Sequence, residues 1–247
     1  MTKTDKKKES QALTPLQISK YQRSHLMLVL CNSQRGQENQ FSAWNINFLN
    51  KKIAEYNTVL NSKLLEKHDI DVTEGEYQNI PYQYLTIIEL SIDGAQQAQG
   101  LADEIMRWHL EEPSADTPAL WLYYPASEKV GRPASINHSM LTLAFANALP
   151  GTDSEFREWY CTRHIRHALN VPQIVSGQCF ERTCYQPTGS TPIEYSMIAI
   201  YEQEGTPEEM IESFHKLPEE LLDFPSLDLV KFAEWVYRPV SANSSKE

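Results

Sequence analysis

The chain has 247 residues, enough for one or two domains. Apolar residues make up 41% and charged residues 22%, which fits a folded chain with a sizeable core and excludes wholesale disorder. Lys and Arg number 22 against 33 Asp and Glu, a net charge of −11, and so acidic a balance argues against nucleic acid as the main partner.

Residues 1–23 are polar and lysine-rich, and they read as a tail rather than a secretory signal. An apolar run at 25–32 has strand length. From about Asn39 a helical pattern puts Phe41, Trp44, Phe48, Leu49 and Ile53 on one face. Strands are expected at 70–78 and 82–91, a second helix at 95–110 and a fourth strand at 119–124. The same order returns as 139–147, 154–168, 174–184, 194–203, 207–216 (with a short helix at 218–223) and 231–237. Residues 241–247 are small and polar, a second tail. No stretch reaches the roughly 18 uninterrupted apolar residues of a membrane span, so a cytoplasmic protein without a membrane partner is expected.

The return of the order is a duplication. Asn32, Gly36, Phe41 and Trp44 match Asn147, Gly151, Phe156 and Trp159 in identical spacing. Residues 82–89 (YQYLTIIE) match 195–202 (YSMIAIYE), and 121–125 (WLYYP) match 235–239 (WVYRP). Each half reads β-α-β-β-α-β, the ferredoxin-like unit, whose open sheet face needs a cover. The expected fold class is therefore α+β: repeats at 24–128 and 129–240, packed sheet against sheet with their helices outside.

The segment Glu155-Phe156-Arg157-Glu158-Trp159-Tyr160-Cys161-Thr162-Arg163-His164, continuing to Leu169, Val171-Pro172 and Ile174-Val175-Ser176, resembles the EthD-like branch of the dimeric α+β barrel superfamily. It departs at Gln173, where glycine is usual, and the first half lacks the histidine. The resemblance implies an intrachain version of that barrel. It also implies a small enzyme without a cofactor, such as a dehydratase or cyclase of aromatic or polyketide metabolism. Other branches are monooxygenases and haem enzymes.

The two matching helices differ in chemistry. Phe156, Trp159, Tyr160, Arg163, His164 and His167 form one stripe, expected to face the sheet. The first half has Phe48 and Leu49 in place of Arg163 and His164. A helix that only packs has no reason to bury three polar groups at roughly 1–3 kcal/mol each. His164 is the candidate acid or base, Tyr160 the donor to a substrate oxygen and Arg163 the anchor for an anion. Asn147, Trp159, His167, Tyr195 and Tyr201 are candidate substrate contacts, although Asn147 and Tyr195 recur as Asn32 and Tyr82 and so suit structural roles as well.

His164 with His167 has metal-ligand spacing but no acidic residue in the stripe, and no metal site is assigned. No nucleotide-binding glycine loop occurs. Cys31, Cys161, Cys179 and Cys184 are expected to be reduced, buried thiols. The leading expectation is a lyase or isomerase moving a proton on a small, hydrophobic, aromatic or carbonyl-bearing metabolite. A non-catalytic binder of hydrophobic molecules and a haem protein are the alternatives, and a homodimer of the whole chain stays open.

Overall fold

The computed structural model describes residues 23–134, 140–189, 191–218 and 226–240. The tails, His138 and nearly all of the helix expected at 218–223 lie outside those residues.

In the first half β1 (His25–Cys31) leads into α1 (Glu38–Trp44), a π-helical stretch (Asn45–Leu49) and α2 (Asn50–Ala54). Then come β2 (Val59–Lys67), β3 (Tyr84–Leu90), α3 (Gln99–Glu111) and β4 (Ala119–Pro125). A two-residue strand, β5 (Val130–Gly131), precedes the second half. That half holds β6 (Met140–Ala146), α4 (Asp153–Trp159), a π-helical stretch (Tyr160–His164) and α5 (Ile165–His167). It continues with β7 (Ile174–Arg182), β8 (Met197–Gln203), α6 (Pro207–Phe214) and β9 (Ala233–Pro239).

The second strand is thus 59–67, not 70–78. Residues 70–78 are a turn segment because Asp71 captures its own backbone: its carboxylate accepts from the amides of Thr73 (2.9 Å) and Gly75 (3.0 Å).

The halves match in detail. β2 and β7 carry the same irregularity, between Val59 and Asn61 and between Ile174 and Ser176. Both π-helical stretches sit at aligned positions. Gly36 and Gly151 adopt φ +79° and +84°, the left-handed turn that suits glycine.

The strands form one closed ring of eight in the order β4-β1-β3-β2-β9-β6-β8-β7, and β4 pairs with β7 to complete it. Two seams join the halves: Leu65–Lys67 against Tyr237–Pro239, and Tyr123–Pro125 against Phe180–Arg182. The chain is an α+β fold in which the two repeats make the barrel together. Strand alternation gives the barrel an inner and an outer face. Leu28, Leu85, Trp121, Phe145, Ile198 and Trp235 belong to the inner cluster. The helices pack outside, on Met27, Ile88 and Leu120 in one half and on Ala144, Ala199 and Val236 in the other. Among the described residues no helix is long and apolar enough to cross a membrane.

Candidate functional site

At five aligned positions the helix–sheet interface changes from apolar in the first half to polar in the second. In the first half these are Met27, Leu49, Ile88, Leu90 and Leu120, all buried in one apolar cluster. In the second half they are Thr142, His164, Tyr201, Gln203 and Glu234. Strand register supports the alignment. Thr142 lies opposite Tyr201 as Met27 lies opposite Ile88, and Ala144 lies opposite Glu234 as Val29 lies opposite Leu120.

Tyr201, like Gln203, has a polar atom left over. It is buried on β8, and its hydroxyl makes no hydrogen bond among the described residues. A buried phenol ordinarily finds a partner. Its ring lies over Gly177 of β7, where an added Cβ would come 2.7 Å from Tyr201 Cδ1 and 2.9 Å from Ile165 Cδ1. The glycine therefore lets the ring lie flat against the strand. Glu234, half-buried on β9, is pushed up to about 7 by loss of water and by the nearby Asp71 carboxylate. Burial holds the Tyr160 and Tyr201 phenols well above their ordinary range, and Glu234 is one of the lesser contributors. Thr142 donates to Gln203 Oε1 at 2.8 Å, and Gln203 Nε2 is buried without a partner.

Among the described residues the helix above this floor is shorter than in the first half. α3 has 13 residues and buries Leu101, Ala102, Ile105, Trp108 and His109. α6 has 8 and buries Pro207 and Met210, starting from a Thr206–Glu209 capping box. The floor is also smaller at one point, with Ala144 where the first half has Val29.

The expected helix stripe is only partly assembled. Phe156, Tyr160 and His164 face the sheet, and their rings stack in sequence at centroid distances of 5.0 Å each. Tyr160 is fully buried, but its hydroxyl already donates to the Ala144 carbonyl at 3.0 Å. His164 is half-buried and also stacks on Trp159 at 4.9 Å. Loss of water, aided by His167, lowers its pKa to about 4, so the ring is neutral at pH 7. His167 is half-buried at the end of α5.

Arg163 does not join them. It is exposed, because the π-helical stretch widens the turn and carries position 163 round to solvent while 164 and 165 stay inward. Tyr195 is separated too: it lies in the barrel's inner cluster, 5.2 Å from the Phe145 ring. Asn147 repeats the role of Asn32. Their Oδ1 atoms accept from the backbone amides of Ser196 (2.9 Å) and Gln83 (2.8 Å), which ties strand ends together. Of the cysteines, Cys184 is exposed and the other three are buried. Among the described residues no three His, Cys, Asp or Glu side chains gather as a metal site.

Glu234 was not among the sequence candidates. The block 235–239 was matched to 121–125, and one step further back sets Glu234 against Leu120. That apolar-to-acid change was the available signal.

No protein-family model matches the chain, and no curated protein matches it in sequence. Solved structures do match over nearly the whole length. An anthrone oxidase-like protein superposes with a TM-score of 0.62 at 11% identity, covering 91% of this chain and 94% of its own. A monooxygenase-like protein of Lactobacillus acidophilus gives 0.53 at 10%, covering 87% and 93%. A chlorite dismutase variant of Candidatus Nitrospira defluvii gives 0.53 at 10%, covering 87% and 91%. These likenesses concern the fold, which with the closed eight-stranded ring is that of a dimeric α+β barrel.

Proposed function

We propose that the protein is an enzyme that takes a proton from a small, largely apolar, aromatic or carbonyl-bearing molecule at the helix–sheet interface of its second half. The observation that carries the reading is the five-position contrast, apolar and buried in one half, polar in the other. Glu234 is the proton-transfer group, since a carboxyl near 7 exchanges protons at neutral pH. The Tyr201 hydroxyl supplies a hydrogen bond to the substrate oxygen, where negative charge develops as the proton leaves. Neutral His164 takes part as a second acceptor at the same interface. Proton removal beside a carbonyl opens lyase and isomerase outcomes alike. The similarity to a protein named anthrone oxidase-like supports an aromatic ketone as the substrate class. The EthD-like placement rests on the helix motif from Glu155 to His164.

The direct bonding of helix to sheet favours a small substrate over a haem at this interface. Helix and sheet are bonded directly to one another, through Tyr160 to the Ala144 carbonyl and through Cys179 Sγ to the Tyr160 carbonyl at 3.4 Å.

The test is proton exchange in D2O, followed by NMR on a panel of enolisable aromatic ketones. The wild-type chain is expected to speed exchange of the acidic C–H of at least one compound. Glu234→Gln should lose most of that acceleration, and His164→Ala part of it. Compounds that bind saturably but exchange at the uncatalysed rate would overturn catalysis and leave a binding protein.

A further inference from the structure

The second half holds two thiols across the same helix and sheet. Cys161 lies at the start of the π-helical stretch and Cys179 at the middle of β7. Both are free and buried, and they belong to one packed cluster. Cys179 Sγ donates to the carbonyl of Tyr160, the residue before Cys161, at 3.4 Å, and the two thiols interact. The aligned pair in the first half, Ile46 and Leu64, packs together in its own cluster. The fold therefore brings these two positions into one cluster in both halves, and only the second half places sulfur at each.

The two thiols are not equivalent. Cys161 retains 9% exposure, whereas Cys179 has none. Interaction with Cys179 and the Arg157 guanidinium draws the Cys161 thiol below its ordinary range, while burial drives Cys179 well above. This is the division of labour between an attacking and a resolving cysteine.

We propose that Cys161 and Cys179 are a peroxide-oxidised pair that closes to a reversible disulfide. The Cys161 thiolate attacks one oxygen of hydrogen peroxide. The O–O bond breaks, hydroxide leaves and is protonated, and Cys161 becomes a sulfenic acid. The Cys179 sulfur then displaces the sulfenic oxygen as water, giving up its proton, and the S–S bond forms. Two thiols are oxidised, one peroxide is reduced and two waters result. The bond joins the stretch that carries Tyr160 and His164 to strand β7. It rests on the geometry of the pair and does not depend on the proposed reaction.

The full-length chain with Cys184→Ser, which removes the exposed thiol, is treated with hydrogen peroxide, alkylated and mapped without reduction. The expected product is a peptide cross-linked through Cys161 and Cys179 that disappears with dithiothreitol. The oxidised protein should also melt at a higher temperature than the reduced one. In Cys179→Ser, Cys161 should stop at the sulfenic acid and be labelled by dimedone. In Cys161→Ser, Cys179 should stay reduced. Recovery of both residues as free thiols under peroxide that oxidises Cys184 in the wild-type chain would overturn the proposal. So would oxidation of Cys161 beyond the sulfenic acid with no cross-link. Should either variant fail to fold, the map of the Cys184→Ser protein decides alone.

Discussion

The Arg23 guanidinium is paired with the Glu89 carboxylate inside the barrel, with 1% and 0% of their side chains exposed. Arg23 also bonds Gln178 of the other half and lies 5.1 Å over the Phe180 ring. Glu202, at the position aligned with Glu89, accepts instead from Lys129 (2.9 Å), Ser176 (2.7 Å) and the Ala134 amide (3.2 Å). A buried ion pair is costly to break from one side, because the remaining charge has no water to return to.

Arg23→Met should therefore destabilise the fold. Burial raises Glu89 to about 8, so the loss grows as pH climbs above that value and the carboxylate must ionise without its partner. At high pH it should reach about 3–5 kcal/mol. Adding Glu89→Leu should recover most of it. Urea denaturation of both variants at pH 6 and pH 9 checks the prediction.

The chain should show opposing pH terms. His164 and His109 are both lowered to about 4, so the unfolded chain binds their protons more readily, and they make stability rise from about pH 4 to 6.5. Glu234 is raised from 4.5 to about 7, so the folded chain holds its proton longer, and stability falls through that window. Glu234→Gln should make the rise between pH 4.5 and 6.5 steeper, and His164→Phe should flatten it. Melting temperatures across that range report both slopes.

Gly177→Ala should cost about 1–3 kcal/mol, since the new methyl meets Tyr201 and Ile165 at under 3 Å and neither ring nor branched side chain can yield without moving its strand or helix. Chemical denaturation measures the loss. If the site lies here, proton exchange should fall as well.

Tyr201→Phe separates function from packing. The lost hydroxyl has no partner, so stability should stay level or improve. Proton exchange on the responsive ketone should fall about tenfold or more, which corresponds to the loss of one hydrogen bond to developing charge. Tyr160→Phe should do the reverse, costing about 1 kcal/mol by leaving the Ala144 carbonyl without its donor.

The fold was readable because duplication writes the same pattern twice, and matched blocks such as 82–89 and 195–202 fix strands that either copy alone would leave open. β2 was missed because its residues, VLNSKLLEK, include Lys63 and Asn61 pointing into the barrel, where a strand reading expects apolar side chains. Of the candidate site, His164 and Tyr201 stand out in the sequence because both break the repeat. Arg163 was misplaced because a π-helical stretch shifts the stripe by a residue, and nothing in residue spacing announces it. Tyr195 was misplaced because it precedes β8 and so escapes the alternation that governs Tyr201.

Both seams of the barrel, β2 with β9 and β4 with β7, lie within one polypeptide. In a pair of identical subunits every mutation is written twice, and a hollow cannot open on one side without opening on the other. Covalent linkage lifts that constraint. One copy can be held to dense packing, as scaffolding, while its twin drifts toward polarity and chemistry, and the ring that both complete keeps the drifting copy in register.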